Sequence, residues 1–146
     1  VIDTFKDQLI HSVFRIRKAN TIMRYKDMDL TTFALMCALE SNQRDSNENI
    51  YLSELSKQLC ITKAALSQMA NQMEEKGYLN REINKSNRRK VTVTLTEKGQ
   101  EAIAEASVEY NRILGEIISR LGDDNAKELV RLFNLFASIA EDMELA

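Results

Sequence analysis

Apolar residues recur along this chain in two rhythms, and the place where one gives way to the other organises the reading. From Ile2 onward Phe5, Leu9, Val13 and Ile16 fall three or four residues apart, one stripe of a long first helix. A second helix, capped by Thr31, carries Phe33, Leu35, Met36 and Leu39, and the Asn-, Ser- and Asp-rich stretch from Ser41 to Asn49 reads as a loop. A short third helix runs from Ser53, its N-cap, to Leu59, with Leu52, Leu55 and Leu59 on one face. Cys60 and Ile61 make a turn. Thr62 then caps a fourth helix, Thr62 to Lys76, whose Leu66, Met69, Ala70 and Met73 point inward, and Gly77 suits its left-handed exit. Beyond Gly77 the period shortens to two. Tyr78, Leu79, Arg81 and Ile83 precede a polar loop and Val91, Val93 and Leu95 follow it, which predicts a pair of antiparallel strands. The helical period returns at Thr96, with Ile103, Tyr110, Ile113, Leu114, Ile117, Ile118 and Leu121. Gly122 and Asp123 interrupt it, and a last helix carries Leu129, Leu132, Phe133, Phe136, Ile139 and Met143.

Helix, turn, helix, then two strands around a basic loop is the order of the winged helix-turn-helix, a module that reads duplex DNA. The predicted fold is mainly α with a small β-wing. The outward face of the fourth helix presents Thr62, Lys63, Ala64, Ser67, Gln68, Asn71 and Gln72, which are small or hydrogen-bonding apart from the lysine and short enough to approach base edges in a major groove. Gln68 and Asn71 are the candidates for base readout, because an amide both donates and accepts and so matches the adenine edge. Lys63 and Ser67 suit phosphates. The loop from Asn84 to Lys90 holds four cations and no acid. Arg89, supported by Arg88 and Lys90, is the candidate to enter a minor groove or lie along its backbone.

These residues resemble the MarR family of bacterial transcription regulators. The resemblance rests on Leu55-Ser56-x-x-Leu59, on Thr62 to Met73, on Glu74-Glu75-Lys76-Gly77-Tyr78-Leu79-x-Arg81, and on Val91-x-Val93-x-Leu95-Thr96-Glu97-Lys98-Gly99; the flanking helices extend it over nearly the whole chain. Three positions depart from the family pattern. An aspartate usually stands two residues before the wing arginine, where this chain has Asn87. Hydroxyl residues are common at the positions of Ala64 and Ala65, and an arginine is frequent at that of Gln68. The last departure predicts a different base preference, since Gln favours adenine where Arg favours guanine.

Composition adds little until it is divided along the chain. The 146 residues carry a net charge of −2 and are 44% hydrophobic, the profile of one ordinary domain with a modest core. Residues 1–61 hold eight cations and eight acids, residues 62–98 eight cations and four acids, and residues 99–146 four cations and ten acids. A middle of +4 and a tail of −6 predict one face for phosphates and another turned from them. No run reaches the ~18–20 consecutive apolar residues of a membrane span and no leader-like segment opens the sequence, so a cytoplasmic protein is expected.

The terminal stripes are too apolar to stand alone, and a partner chain is their natural cover. A single domain of residues 1–146 is therefore read as a winged lobe, 52–99, carried on a helical dimerisation region, 1–24 and 100–146. Ile2, Phe5, Leu9, Leu129, Leu132, Phe133, Phe136 and Ile139 would form the interface. The resemblance implies the same arrangement, a two-fold dimer with outward DNA-binding lobes. It also implies a repressor on a near-palindromic operator, released by a small aromatic or phenolic ligand, for which Phe14, Met36 and Tyr110 are candidate pocket residues. Two alternatives stand beside it: a thiol-based redox regulator using Cys60, near the positive end of the fourth helix, and a winged-helix interaction protein that has lost DNA. An enzyme is not expected. His11 is the one histidine, four scattered glycines make no phosphate cradle, and no Cys/His set has metal-ligand spacing, so no cofactor or metal is expected either.

Overall fold

The structure, a computed structural model, describes residues 4–45 and 50–143. In chain order the elements are α1 (Thr4–Ile22), β1 (Arg24–Tyr25), β2 (Met28–Asp29), α2 (Leu30–Asp45), β3 (Ile50–Tyr51), α3 (Leu52–Gln58), α4 (Lys63–Glu75), β4 (Leu79–Ile83), β5 (Val91–Leu95), α5 (Glu97–Leu121) and α6 (Asp123–Asp142). The fold is mainly α with a small antiparallel wing. It divides into two compact units, residues 1–108 and 109–146, and α5 crosses the boundary.

The first unit holds the winged lobe. Its sheet has the order β3-β5-β4, with Leu79 opposite Leu95, Arg81 opposite Val93 and Ile83 opposite Val91. Alternation puts Leu79, Val93 and Leu95 inward, where they join Leu35, Met36 and Leu39 of α2, Leu55 of α3 and Leu66, Ala70 and Met73 of α4 in a closed core. Ile103 and Ala106 complete it from the start of α5.

Several local expectations shift. The cap of α2 is Asp29 rather than Thr31: its Oδ1 accepts the Thr32 N–H at 2.8 Å. Ser41 to Asp45 is the last turn of α2, not loop. Asn42 donates to the Ala38 carbonyl, Glu40 pairs with Arg44 at i,i+4, and the Gln43 side chain accepts the Leu95 N–H at 3.2 Å, giving these polar residues work on a helix. The remainder of the expected loop, 46–49, lies outside the described residues, as does Ile2. Helix α3 begins at Leu52, with Tyr51 at its N-cap and no side-chain cap, so Ser53 is already inside it. The strands β1, β2 and β3, at two residues each, are too short to show a period in the sequence.

Thr96 does start α5, accepting the Gly99 N–H at 3.0 Å while its own hydroxyl donates to the Gly77 carbonyl at 2.5 Å. Gly122, with φ +82°, separates α5 from α6 as its pattern suggests. Helix α1 buries no residue, and neither does α6.

Candidate nucleic-acid interface

Helix α4 is built so that one face is fixed and the other is free. Thr62, extended at φ −66° and ψ 151°, accepts the Ala65 N–H at 3.1 Å and so caps the helix as its hydroxyl predicted. Before it, Cys60 adopts φ +54° and the Ile61 N–H returns to the Ser56 carbonyl at 3.1 Å, which turns the chain from α3 into α4. With Leu66, Ala70 and Met73 buried, Lys63, Ala64, Ser67, Gln68, Asn71 and Gln72 are all exposed, as is Thr62. The six expected readout and positioning side chains therefore share the solvent side of one rigid element.

The far end of α4 is tied down twice. Glu74 holds Arg81 of β4 through both carboxylate oxygens, Oε2 to Nε at 3.3 Å and Oε1 to Nη2 at 3.2 Å, and also takes the Arg81 N–H. This hydrogen bonding keeps the Glu74 carboxyl below the usual glutamate range. Lys76, the C-cap, places Nζ 2.6 Å from Asp27 in the β1–β2 hairpin, and the hydrogen bond lowers the Asp27 carboxyl likewise. Gly77 exits at φ +77°.

The wing tip is ordered by two asparagines. Asn84 Oδ1 accepts from the Ser86 N–H and hydroxyl and from the Asn87 N–H; Asn87 Oδ1 accepts the Arg89 N–H at 3.1 Å, and its carbonyl takes the Lys90 N–H. Asn87, where the family pattern has aspartate, thus shapes the backbone and does not grip the Arg89 guanidinium. Arg88 and Arg89 are exposed and, among the described residues, their guanidiniums meet no protein acceptor. Lys90 leans back, with Nζ 5.1 Å from the centre of the Tyr51 ring, so its charge is less free than that of the arginines. The asparagine turns were legible in principle from Asn84-x-Ser86-Asn87, an Asx-turn composition that charge counting passes over.

The other candidate residues fall differently. Met36 and Tyr110 are sealed at 0% and 1% exposure, whereas Phe14 is 58% exposed. Phe14 does lie under the Arg17 guanidinium, 5.9 Å from its ring centre, and Arg17 opens onto a cleft of about 210 Å³ shared with Asn20, Thr21, Arg24, Asp29, Leu30 and Thr31. Cys60 is exposed, its Sγ 3.9 Å from the Lys57 carbonyl, and Cys37 is half-buried with its thiol pushed up by burial. Phe5 and Leu9 on α1, and Leu129, Leu132, Phe133, Phe136 and Ile139 on α6, are all exposed in the single chain. Among the described residues no group of acids, His and Cys could hold a metal, and no helix is long and apolar enough to cross a membrane.

The MarR family model matches residues 45–91, the span from the end of α2 through the wing tip. Over 129 residues the chain is 26% identical to the transcriptional repressor MprA of Escherichia coli K12, covering 88% of this chain and 72% of that one. The matched segment and this relative make the chain similar to MarR-family regulators. Its fold is shared with MarR-type regulators of known structure. BpsR of Bordetella bronchiseptica, described with 6-hydroxynicotinic acid, superposes at a TM-score of 0.76 with 19% identity, covering 94% of this chain and 98% of the other. MepR of S. aureus, solved as a DNA complex, gives 0.72 with 16% identity and covers 94% and 99%. The chain thus shares the winged-helix fold of these transcriptional regulators, and its recognition-helix and wing segment is the part that the MarR model matches.

Proposed function

We propose that the chain acts as a homodimeric repressor on a near-palindromic operator, with α4 of each protomer in a major groove and half-sites about 34–36 Å apart. The observation that carries this reading is the outer face of α4, where Lys63, Ser67, Gln68 and Asn71 stand exposed on a helix capped at one end and clamped at the other. Arg88 and Arg89 would follow the minor groove or its backbone from the wing. Residues 52–99 then form the DNA-reading lobe of one 1–146 domain, and the apolar faces of 1–24 and 100–146 meet a second copy. MepR, described in a DNA complex, supports the same use of the fold.

Release would come from a small aromatic acid or phenol. BpsR is described as regulated by one such acid, and the cleft beside Phe14 supports the reading here, because Arg17 and Arg24 suit a carboxylate. Asp29, also in its lining, is already committed to the Thr32 N–H. A ligand preferring one lobe position over another would draw population from the DNA-competent state.

Selection from random duplexes tests both parts. The parent should recover a near-palindrome, Gln68→Ala and Asn71→Ala should relax one base pair per half-site at a cost of about 1–3 kcal/mol, and Lys63→Ala should weaken all sequences alike. Retention of the recovered duplex should fall when 6-hydroxynicotinic acid is added and persist in Arg17→Ala. A parent that enriches no duplex overturns the repressor reading in favour of an interaction protein without DNA.

A further inference from the structure

The hairpin β1–β2 places a lysine where its tight turn calls for a left-handed backbone that glycine or asparagine adopts more easily. Its two-residue loop is Lys26-Asp27, closed by the Tyr25–Met28 pair, and Lys26 takes φ +53°, a region where glycine is free and a lysine is strained. The lysine side chain is engaged at that point. Its Nζ lies 3.0 Å from Glu105 on α5 and 5.2 Å from the Tyr25 ring centre, while the Tyr25 hydroxyl reaches the same Glu105 oxygen at 3.3 Å. The next residue, Asp27, holds Lys76 at the end of α4 at 2.6 Å, and its carbonyl accepts from Arg24 at 2.9 Å. Met28, 4% exposed, roots the hairpin in the core. Three consecutive side chains of one turn therefore brace α5 on one side and grip the C-cap of α4 on the other.

We infer that the hairpin is a positioning strut for the recognition helix: Asp27 fixes the Lys76 end of α4 while Lys26 and Tyr25 brace the turn against Glu105, so that the hairpin sets the angle at which the amide face meets DNA. The inference rests on the reading of α4 as the groove-entering helix. Leu66, Ala70 and Met73 hold the inner face of α4 against the core and Glu74–Arg81 ties its C-terminal end to β4, which leaves the tilt of that end to be set by what else grips it. The Lys76–Asp27 pair supplies a second restraint from a different element. Glycine at position 26 would relax the turn but lose the brace. The lowered carboxyls of Asp27 and Glu105 and the raised ammonium of Lys26, each caused first by its hydrogen-bonded partner, agree with contacts made in the folded lobe.

The test measures affinity for the duplex recovered by the parent, beside thermal unfolding and the salt dependence of binding. Lys26→Gly should leave the melting temperature equal or higher and weaken DNA binding about two- to fivefold per lobe, the range of an exposed ion pair. Asp27→Asn and Lys76→Met should each weaken it by a similar factor, their double variant should be no worse than either alone, and the reversed pair Asp27→Lys with Lys76→Asp should recover affinity. The salt slope should stay at the parent value throughout. Unchanged affinity in Lys26→Gly and Asp27→Asn overturns the strut. Additive losses with a shallower slope for Lys76→Met overturn it too, assigning Lys76 to a phosphate, and a melting temperature that falls in step with affinity in all variants reduces the hairpin to a fold element. If the parent recovers no duplex, the recognition-helix reading itself fails and the strut with it, an outcome distinct from all of these.

Discussion

A β-carbon placed on Gly99 would collide with the carbonyl oxygen of Tyr78 and sit 3.1 Å from Leu95 Cδ2, so the first turn of α5 approaches the exit of α4 as closely as a bare backbone allows. Thr96 makes that approach productive by bonding to Gly77 and Gly99 at once. Gly77 is different in kind. Its added carbon would meet only the flexible Lys98 side chain, at 3.7 Å, and the difficulty there is φ +77°. The two glycines should therefore respond differently to alanine. Gly99→Ala is expected to cost about 3 kcal/mol, since neither the carbonyl nor the packed leucine can give way cheaply. Gly77→Ala is expected to cost about 1–2 kcal/mol, the penalty of left-handed backbone alone. Denaturant unfolding of the two variants checks the order, and an equal loss would mean that α5 moves aside at Gly99. Both residues were visible in the sequence as family-pattern glycines, yet only Gly77 had a local reason there. The reason for Gly99 is a contact across 21 residues, which no local pattern encodes.

At the scale of elements, α4 was legible because its signals agree: a hydroxyl cap at Thr62, inward apolar residues at helical spacing, and a left-handed glycine after it. Where a signal was single, it misled. Thr31 looked like a cap because hydroxyls often are, but Asp29, two residues earlier, accepts the Thr32 N–H, and the polar composition of Ser41 to Asp45 suggested a loop although those side chains bond along α2 and to β5. The hairpin β1–β2 escaped notice because strands of two residues have no period, and with it went the Lys76–Asp27 pair that ties α4 down. The wing was predicted by charge, and the structure refines which charges are free: Lys90 stacks on Tyr51, whereas Arg88 and Arg89 extend into solvent on a tip shaped by Asn84 and Asn87. Arg89→Ala should accordingly leave the unfolding transition in place while weakening operator binding, and the log–log salt slope should flatten by about 0.9 for each phosphate contact removed. Lys90→Ala should flatten it less. Titrations at several salt concentrations decide the matter, and equal slopes for parent and Arg89→Ala would remove the wing arginine from the interface.

For the whole molecule the question is what covers α1 and α6. Neither helix buries a residue in the isolated chain, and on α6 Leu132, Phe133, Phe136 and Ile139 are exposed together, with Phe136 at 58%. Scattered surface apolar residues need no explanation, but an entire helix whose apolar stripe faces water does. A lipid surface is a poor candidate for that stripe, because residues 99–146 hold ten acids against four cations and would be repelled by anionic headgroups. The same acidity disfavours contact of this part of the chain with phosphates. The proposed second copy of the chain would meet both conditions, since it would bring an equal apolar stripe and let two winged lobes share one operator. Phe136→Asp should then weaken the dimer by about a hundredfold, the equivalent of some 3 kcal/mol for a charge forced into an apolar contact, and operator binding should fall with it because two half-sites would no longer be held together. The fold of each protomer should survive, as residue 136 has no buried neighbourhood to lose within its own chain. Sedimentation across a concentration series, with circular dichroism on the same samples, separates these effects. A parent protein that stays monomeric at micromolar concentration would leave the stripe without its partner and the operator model without its symmetry.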